Sequence, residues 1–288
     1  MRLDRRLAAA LLCLLIFILI AYVCLTISRS RSFQFFGGIV DQVETTEKVV
    51  ALTFDDGPTG KTDEILKILE ELDVKATFFV TGRELNDNMD GGREIVAAGH
   101  ELGNHSYSHK RMVLKAPSFI RREIDQTDRL IRDTGYTGDI HFRPPNGKKL
   151  LLLPYILKQY DKKTIMWNLE PDSYPDIAAS SQNIVGHVVE NITPGSIILL
   201  HVMYESRHES LNSVTGIVTE LRAAGYEFKT VSELLEYEEN VVLVQWDQTL
   251  SHVGWDLSCL SGSANFYFHN FYVGEVVAAA AEETLFYR

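Results

Sequence analysis

The chain is poor in cysteine, with three in 288 residues, which excludes a disulfide-stapled scaffold or a cysteine-rich zinc module. Two of the three, Cys13 and Cys24, share one apolar run, and the third is Cys259. A basic surface is also missing. Lys and Arg total 28 against 39 Asp and Glu, for a net charge of −11, and no Lys/Arg cluster follows the first residues. Nucleic-acid phosphates need a positive face, so no nucleic-acid partner is expected. No Gly-rich fingerprint follows the first predicted strand, which argues against a dinucleotide site and predicts no nucleotide cofactor. Hydrophobic residues make up 45% and charged residues 23%, ordinary globular usage that excludes a wholly disordered chain.

The longest apolar run comes first. Leu7 to Ile27 is 21 residues without a charge, preceded by Arg2, Asp4, Arg5 and Arg6. As a helix it reaches about 31 Å, enough to cross a hydrocarbon core. It is too long for a cleaved signal peptide, lacks a clear small-x-small exit, and Val23 makes a poor lipoprotein site before Cys24. It reads as an uncleaved single-pass anchor in a lipid bilayer, with residues 1–28 as cytoplasmic stub plus span. Three Lys/Arg before it and two after favour the N-terminus inside, so the remainder is expected to be extracytoplasmic.

Residues 29–46 lack a clean period and read as a linker. Beyond them strands and helices alternate: strands are predicted at Lys48–Phe54, Ala76–Val80, Ile140–Phe142, Thr164–Trp167, Ser196–His201 and Tyr226–Val231. Helices are predicted at Lys61–Leu72, Arg93–Ala98, Ser118–Thr134, Leu150–Gln159, Asp176–Ile192, Leu211–Ala223 and Ser232–Tyr237. This alternation over 47–240 implies βαβ units, a parallel sheet and an α/β fold: a distorted (β/α) barrel of about seven strands. Residues 241–288, with Trp246, Trp255 and aromatic residues at 266–268, continue no such pattern and are left as an unassigned extension.

Polar residues cluster where predicted strands end. Thr53-Phe54-Asp55-Asp56-Gly57-Pro58 closes the first strand, and its two adjacent acids read equally as a turn or as a site. His105-Ser106-Tyr107-Ser108-His109 places two imidazoles four apart, a spacing that grips a cation from a helical turn. With Asp56 they complete an N,N,O set for zinc that leaves a position open for water. Arg143-Pro144-Pro145-Asn146-Gly147 is a turn stiffened by two prolines. His201 ends the most apolar strand, where a solitary histidine is often a core group. Each element follows a different strand, the way barrel active sites are assembled.

TFDDGP, HSYSH, RPPNG and SIILLH, in this order, resemble the polysaccharide deacetylases of carbohydrate esterase family four, the NodB-homology domain, over roughly Val49 to Glu238. The resemblance implies a metal-dependent hydrolase that removes acetyl groups from N-acetylated sugars of a peptidoglycan- or chitin-like polysaccharide, with metal-bound water as nucleophile. It implies Asp56, His105 and His109 as ligands to a divalent metal, usually Zn2+, with Co2+ or Ni2+ also accepted by such a set. Asp55 would be the general base, Arg143 its partner, and His201 the general acid toward the leaving amine. The backbone N–H of Asn146 would help to stabilise the oxyanion, and Leu199 would line the acetyl pocket.

Two departures stand out. Asn146 occupies a place where the family usually has an aromatic residue. In Trp167-Asn168-Leu169-Glu170-Pro171-Asp172-Ser173-Tyr174, the acid that tunes the catalytic histidine is taken to be Asp172 and the groove aromatic Tyr174, although counting from Trp167 puts Ser173 at the acid's place. An O-acetyl polysaccharide esterase and a catalytically impaired glycan binder remain alternative readings.

Overall fold

The computed structural model describes residues 5–238. The chain divides after residue 241, and the expected extension at 241–288 lies outside the described residues. Helix α1 (Arg5–Arg29) contains the apolar run, and over Ala9–Arg29 it is long and apolar enough to cross a membrane. Its large side chains from Leu11 to Leu25 face outward rather than into a core.

After α1 the unit is built from β1 (Ile39–Val40), β2 (Val49–Asp55), α2 (Thr62–Glu71), β3 (Thr77–Val80), α3 (Gly82–Asp87), α4 (Met89–Ala97) and β4 (Glu101–Asn104). There follow α5 (Pro117–Asp133), α6 (Leu152–Gln159), β5 (Thr164–Ile165), α7 (Ser181–Asn191), β6 (Ile197–Leu200), α8 (His208–Ala223), β7 (Glu227–Lys229) and a helical stretch over 231–238. Among the described residues every pair of these strands is parallel, with one isolated antiparallel bridge between Gln42 and Ser196. The order β4-β3-β2-β6 has β7 beside the start of β2, and β1 pairs with β5. Single parallel bridges link Asn104 to Phe142, Phe142 to Thr164 and Leu169 to Ile198, closing the ring from β4 through β5 to β6. The result is a distorted (β/α) barrel, because two of its staves are reduced to one or two paired residues.

Alternation along the strands decides what faces the helices and what faces the barrel interior. Val50, Leu52 and Phe54 of β2 pack with Ile65, Leu69, Ile198 and Leu200 in the outer core. The intervening Val49 and Ala51 join Phe79, Ile197 and Leu199 inside. The same parity turns Thr53 and Asp55 inward at the strand's C-terminal end.

The structure departs from the sequence reading at several points, among them α3 (Gly82–Asp87), which no predicted helix covers, and Ile140–Phe142, which pairs only through single bridges at Phe142. Residues 29–46 are folded into the domain: β1 pairs with β5, Val43 is buried, and Val43 N donates to Gly195 O at 3.0 Å. Strand β4 was not predicted; ELGN carries little β-propensity and pairs because β3 offers it a register. His105–His109 forms a loop instead of a helical turn, with Ser106 (φ 66) and His109 (φ 54) in the left-handed region.

Candidate active site

Asp55, at the end of β2, is the centre of the site. Arg143 Nη1 donates to Asp55 Oδ1 at 2.7 Å and to Thr53 Oγ1 at 2.8 Å. Its Nη2 and Nε donate to Met166 O at 3.1 Å and Ile165 O at 3.3 Å, and its guanidinium lies 3.9 Å from the centre of the Phe79 ring. Arg143 is fully buried and Asp55 nearly so. Burial alone would raise the Asp55 pKa; the charge of Arg143, with His105 and His201, prevails and holds it below the ordinary carboxylate value.

The next acid turns the other way. Asp56 sits at φ 73, so its carboxylate leaves the strand's alternation and meets His109, with Oδ1 3.7 Å from Nε2. Glu84 of α3 holds this turn, accepting from Gly57 N at 2.8 Å and Thr81 Oγ1 at 2.7 Å. His105 Nδ1 donates to Arg143 O at 2.8 Å, which leaves Nε2 as the free lone pair, 3.5 Å from Asp55 Oδ2. Burial and the neighbouring His105 lower the His109 pKa, against the pull of Asp56 and Asp55. A neutral imidazole is the form that binds metal.

One ligand atom each from Asp56, His105 and His109 lies within 4.8 Å of the others. Two imidazoles and a carboxylate, one ring fixed in tautomer by a backbone carbonyl, fit a divalent cation of the zinc type. The loop carrying the histidines is tied down from behind. Asn104 Oδ1 accepts from Ser106 N at 2.8 Å, Ser106 Oγ from His109 N at 3.1 Å, and Glu123 Oε2 of α5 from Ser108 N at 2.7 Å.

Across the barrel mouth, His201 follows β6. Asp172 Oδ2 accepts from His201 N at 2.7 Å, and both Asp172 oxygens lie 3.3 Å from His201 Nδ1. Ser210 Oγ adds a bond to Asp172 Oδ2 at 3.0 Å, and Arg207 Nη1 holds the Asp172 carbonyl at 2.9 Å. Burial disfavours the imidazolium, but the hydrogen bond and charge of Asp172, with Asp55 and Asp56 beyond, raise the His201 pKa to about 9.

These groups surround one cavity of about 390 Å³. Asp55, His105, His109, Asn146, Leu199 and His201 line it; Asp56, Arg143 and Asp172 touch residues that do. Tyr174 is not among the lining residues. The 3-10 turn Pro171–Ser173 buries Asp172 and exposes Ser173 to the cavity, and the Tyr174 ring lies 6.1 Å from that of His187. The aromatic wall is Trp167 instead. Its place at the end of the predicted strand Thr164–Trp167 is the signal the sequence offers for it. Asn146 is exposed at φ 54, a conformation asparagine tolerates, and its Oδ1 accepts from Arg111 Nε at 2.9 Å. Arg29, Arg31 and Lys148 also reach the cavity, and no periodicity pointed to them.

The profile of the family described as "Polysaccharide deacetylase" matches residues 42–165. A Bacillus cereus peptidoglycan-N-acetylglucosamine deacetylase is 30% identical over 203 residues, covering 70% of this chain and 95% of the relative. The chain belongs to the polysaccharide deacetylase family. Membership makes it a hydrolase of the deacetylase type. The crystal structure of a peptidoglycan N-acetylglucosamine deacetylase superposes with a TM-score of 0.64 at 28% identity, covering 68% of this chain and 92% of that one. A Bacillus anthracis pseudoenzyme of the same family superposes with a TM-score of 0.62 at 29% identity, covering 70% and 69%. Neighbours of both kinds put the weight on this deacetylase's own side chains.

Proposed function

We propose that the protein is a single-pass, membrane-anchored enzyme that hydrolyses the N-acetyl group of an amino sugar in an extracytoplasmic, peptidoglycan-like glycan. The observation that carries this reading is one cavity faced from one side by Asp55 and the Asp56, His105 and His109 set, and from the other by His201. A peptidoglycan deacetylase that covers nearly its whole length with this chain supports the substrate class. Residues 47–240 would form the catalytic domain, with 29–46 as an integral part of it, and 1–28 the anchor.

Asp56, His105 and His109 would hold a divalent cation, which when bound polarises water and the acetamide carbonyl. Asp55, kept ionised by Arg143, takes a proton from the attacking water. The water oxygen bonds to the acetyl carbon, and negative charge develops on the former carbonyl oxygen, near the backbone N–H of Asn146. His201, charged through its pairing with Asp172, gives its proton to the sugar nitrogen as the C–N bond breaks, releasing acetate and a free amine. Leu199, buried in the cavity wall, offers an apolar surface to the acetyl methyl.

The test is acetate release from N-acetylglucosamine oligomers by the full chain in detergent, with and without chelator. Release that stops with chelator and returns with zinc is the expected result; folded, zinc-loaded protein without release refutes the reading.

A further inference from the structure

The end of the anchor helix is part of the cavity wall. Arg29, the last residue of α1, and Arg31, two residues on, both line it. The segment is bound to the catalytic domain: Lys149 N donates to Ser28 O at 3.2 Å, and the buried Lys149 Nζ donates to Ser30 O. Arg31 Nη2 pairs with Glu170 Oε2 at 2.7 Å, and its guanidinium lies 4.9 Å from the centre of the Trp167 ring. A helix that leaves the bilayer at Arg29 therefore holds the cavity mouth at the level of the lipid headgroups.

Two further features point the same way. Beside the exit of α1 lies an exposed apolar patch of Phe33, Phe35, Phe36, Leu151, Leu152 and Tyr155, each 38–48% exposed, with the Phe36 and Tyr155 rings 5.5 Å apart. Phe33 is four residues from Arg29, within about 14 Å of chain, so this patch meets the interface where aromatic side chains favour residence. The cavity mouth is also basic in a protein of net charge −11. Arg31 and Arg207 have acidic or carbonyl partners, whereas the side chains of Arg29 and Lys148 make no hydrogen bond or ion pair among the described residues. Arg29 and Lys148 repel each other across the cavity, Glu170 offsets this only in part while it is paired with Arg31, and an anion bound between the two cations removes the remaining cost. A neutral polymer gives these cations no partner.

We propose that the acetylated sugar is presented from the bilayer, joined through a phosphate to a membrane lipid, with Arg29 and Lys148 as the phosphate subsite beside the deacetylation centre and the aromatic patch seated in the interface. The inference rests on the deacetylase and anchor readings above, and adds the form in which the substrate arrives.

The test uses the full chain in phosphatidylcholine nanodiscs and three substrates: N-acetylglucosamine linked by diphosphate to a polyprenol in the same disc, UDP-N-acetylglucosamine in solution, and neutral N-acetylglucosamine oligomers. The lipid-linked sugar should show the highest kcat/KM, at least about tenfold over either other. The double variant Arg29→Gln, Lys148→Gln should lower its preference over the neutral oligomers about tenfold or more, through KM. Equal turnover of neutral oligomers, an unchanged preference in the double variant, or a sugar nucleotide as good as the lipid-linked sugar would overturn the inference. Should no substrate be turned over, the deacetylase reading fails, and binding decides this inference separately. In discs carrying the lipid-linked sugar, the Asp55→Asn chain should bind a fluorescent soluble N-acetylglucosamine oligomer at least about tenfold more weakly than in discs with an undecorated neutral lipid, because the lipid-linked sugar competes for the site, and adding Arg29→Gln and Lys148→Gln should abolish the difference. No difference overturns it.

Discussion

Arg143 Nη1 lies 2.7 Å from Asp55 Oδ1, with Arg143 fully buried and Asp55 nearly so, its carboxylate edge on the cavity. A buried carboxylate at the end of a barrel strand stays ionised only with such a partner, and an ionised Asp55 is the form that accepts a proton. The pair therefore joins stability to chemistry: the same guanidinium that neutralises the core keeps the base ready.

Asp55→Asn should lower turnover by about 10²–10⁴, the range for removal of a positioned general base, with zinc content retained. Steady-state rates beside elemental analysis check this. Arg143→Met should cost about 3–5 kcal/mol in urea unfolding at neutral pH, because it strands the Asp55 charge. Less than 1 kcal/mol would show that Asp55 needs no cation. The depressed Asp55 pKa contributes stability above its unfolded value, near 3.8, which is lost as pH falls through the lower folded value.

In chelator-treated protein, the His201 ring should titrate near 9, and in Asp172→Asn at or below the ordinary 6.5. Nitrogen-resolved NMR reads this directly. A raised folded value means that the pair's stabilisation is complete below pH 6.5 and lost as pH rises through about 9. The stability gap between the parent and the variant should accordingly shrink between pH 7 and 10.

Dialysed protein should hold one equivalent of zinc, and Asp56→Ala or His105→Ala should hold none at the same free concentration. Zinc at about 100 times its dissociation constant should stabilise the parent by about 2.7 kcal/mol and leave either variant unmoved. Equal thermal shifts in parent and variants would place the cation elsewhere.

Gly103 is present because the β3 side chain leaves no room for more. A Cβ there would stand 2.4 Å from Cδ1 of Phe79, the ring under Arg143. Gly103→Ala should cost about 1–3 kcal/mol, at about 2–4 °C in Tm per kcal/mol. Calorimetry checks this; an unshifted Tm would mean that the Phe79 ring moves freely.

Most of the barrel was legible because its strands are apolar runs bounded by turns and its helices carry an apolar stripe. KVVALTF and SIILLH needed no tertiary information. ELGN did, since its glutamate, glycine and asparagine have little tendency to extend alone, and β4 forms only against β3. The segment 29–46 was opaque for the same reason: two residues of β1 make no pattern until β5 is beside them.

The order of residues alone sets out the chemistry on offer: two adjacent acids, two histidines four apart, a proline-stiffened arginine turn and a histidine after an apolar strand, in a barrel order. Which atoms meet was decided by closure of the sheet. Arg143 and Asp55 are 88 residues apart, and His201 and Asp172 are 29. Counting along the chain could not choose between Asp172 and Ser173 as the partner of His201, because the answer is the pitch of one 3-10 turn. Nor could it place Arg29 and Lys148 at one cavity. Periodicity reports the face a residue takes within its own element, while distance between loops depends on how the strands beneath them tilt and close.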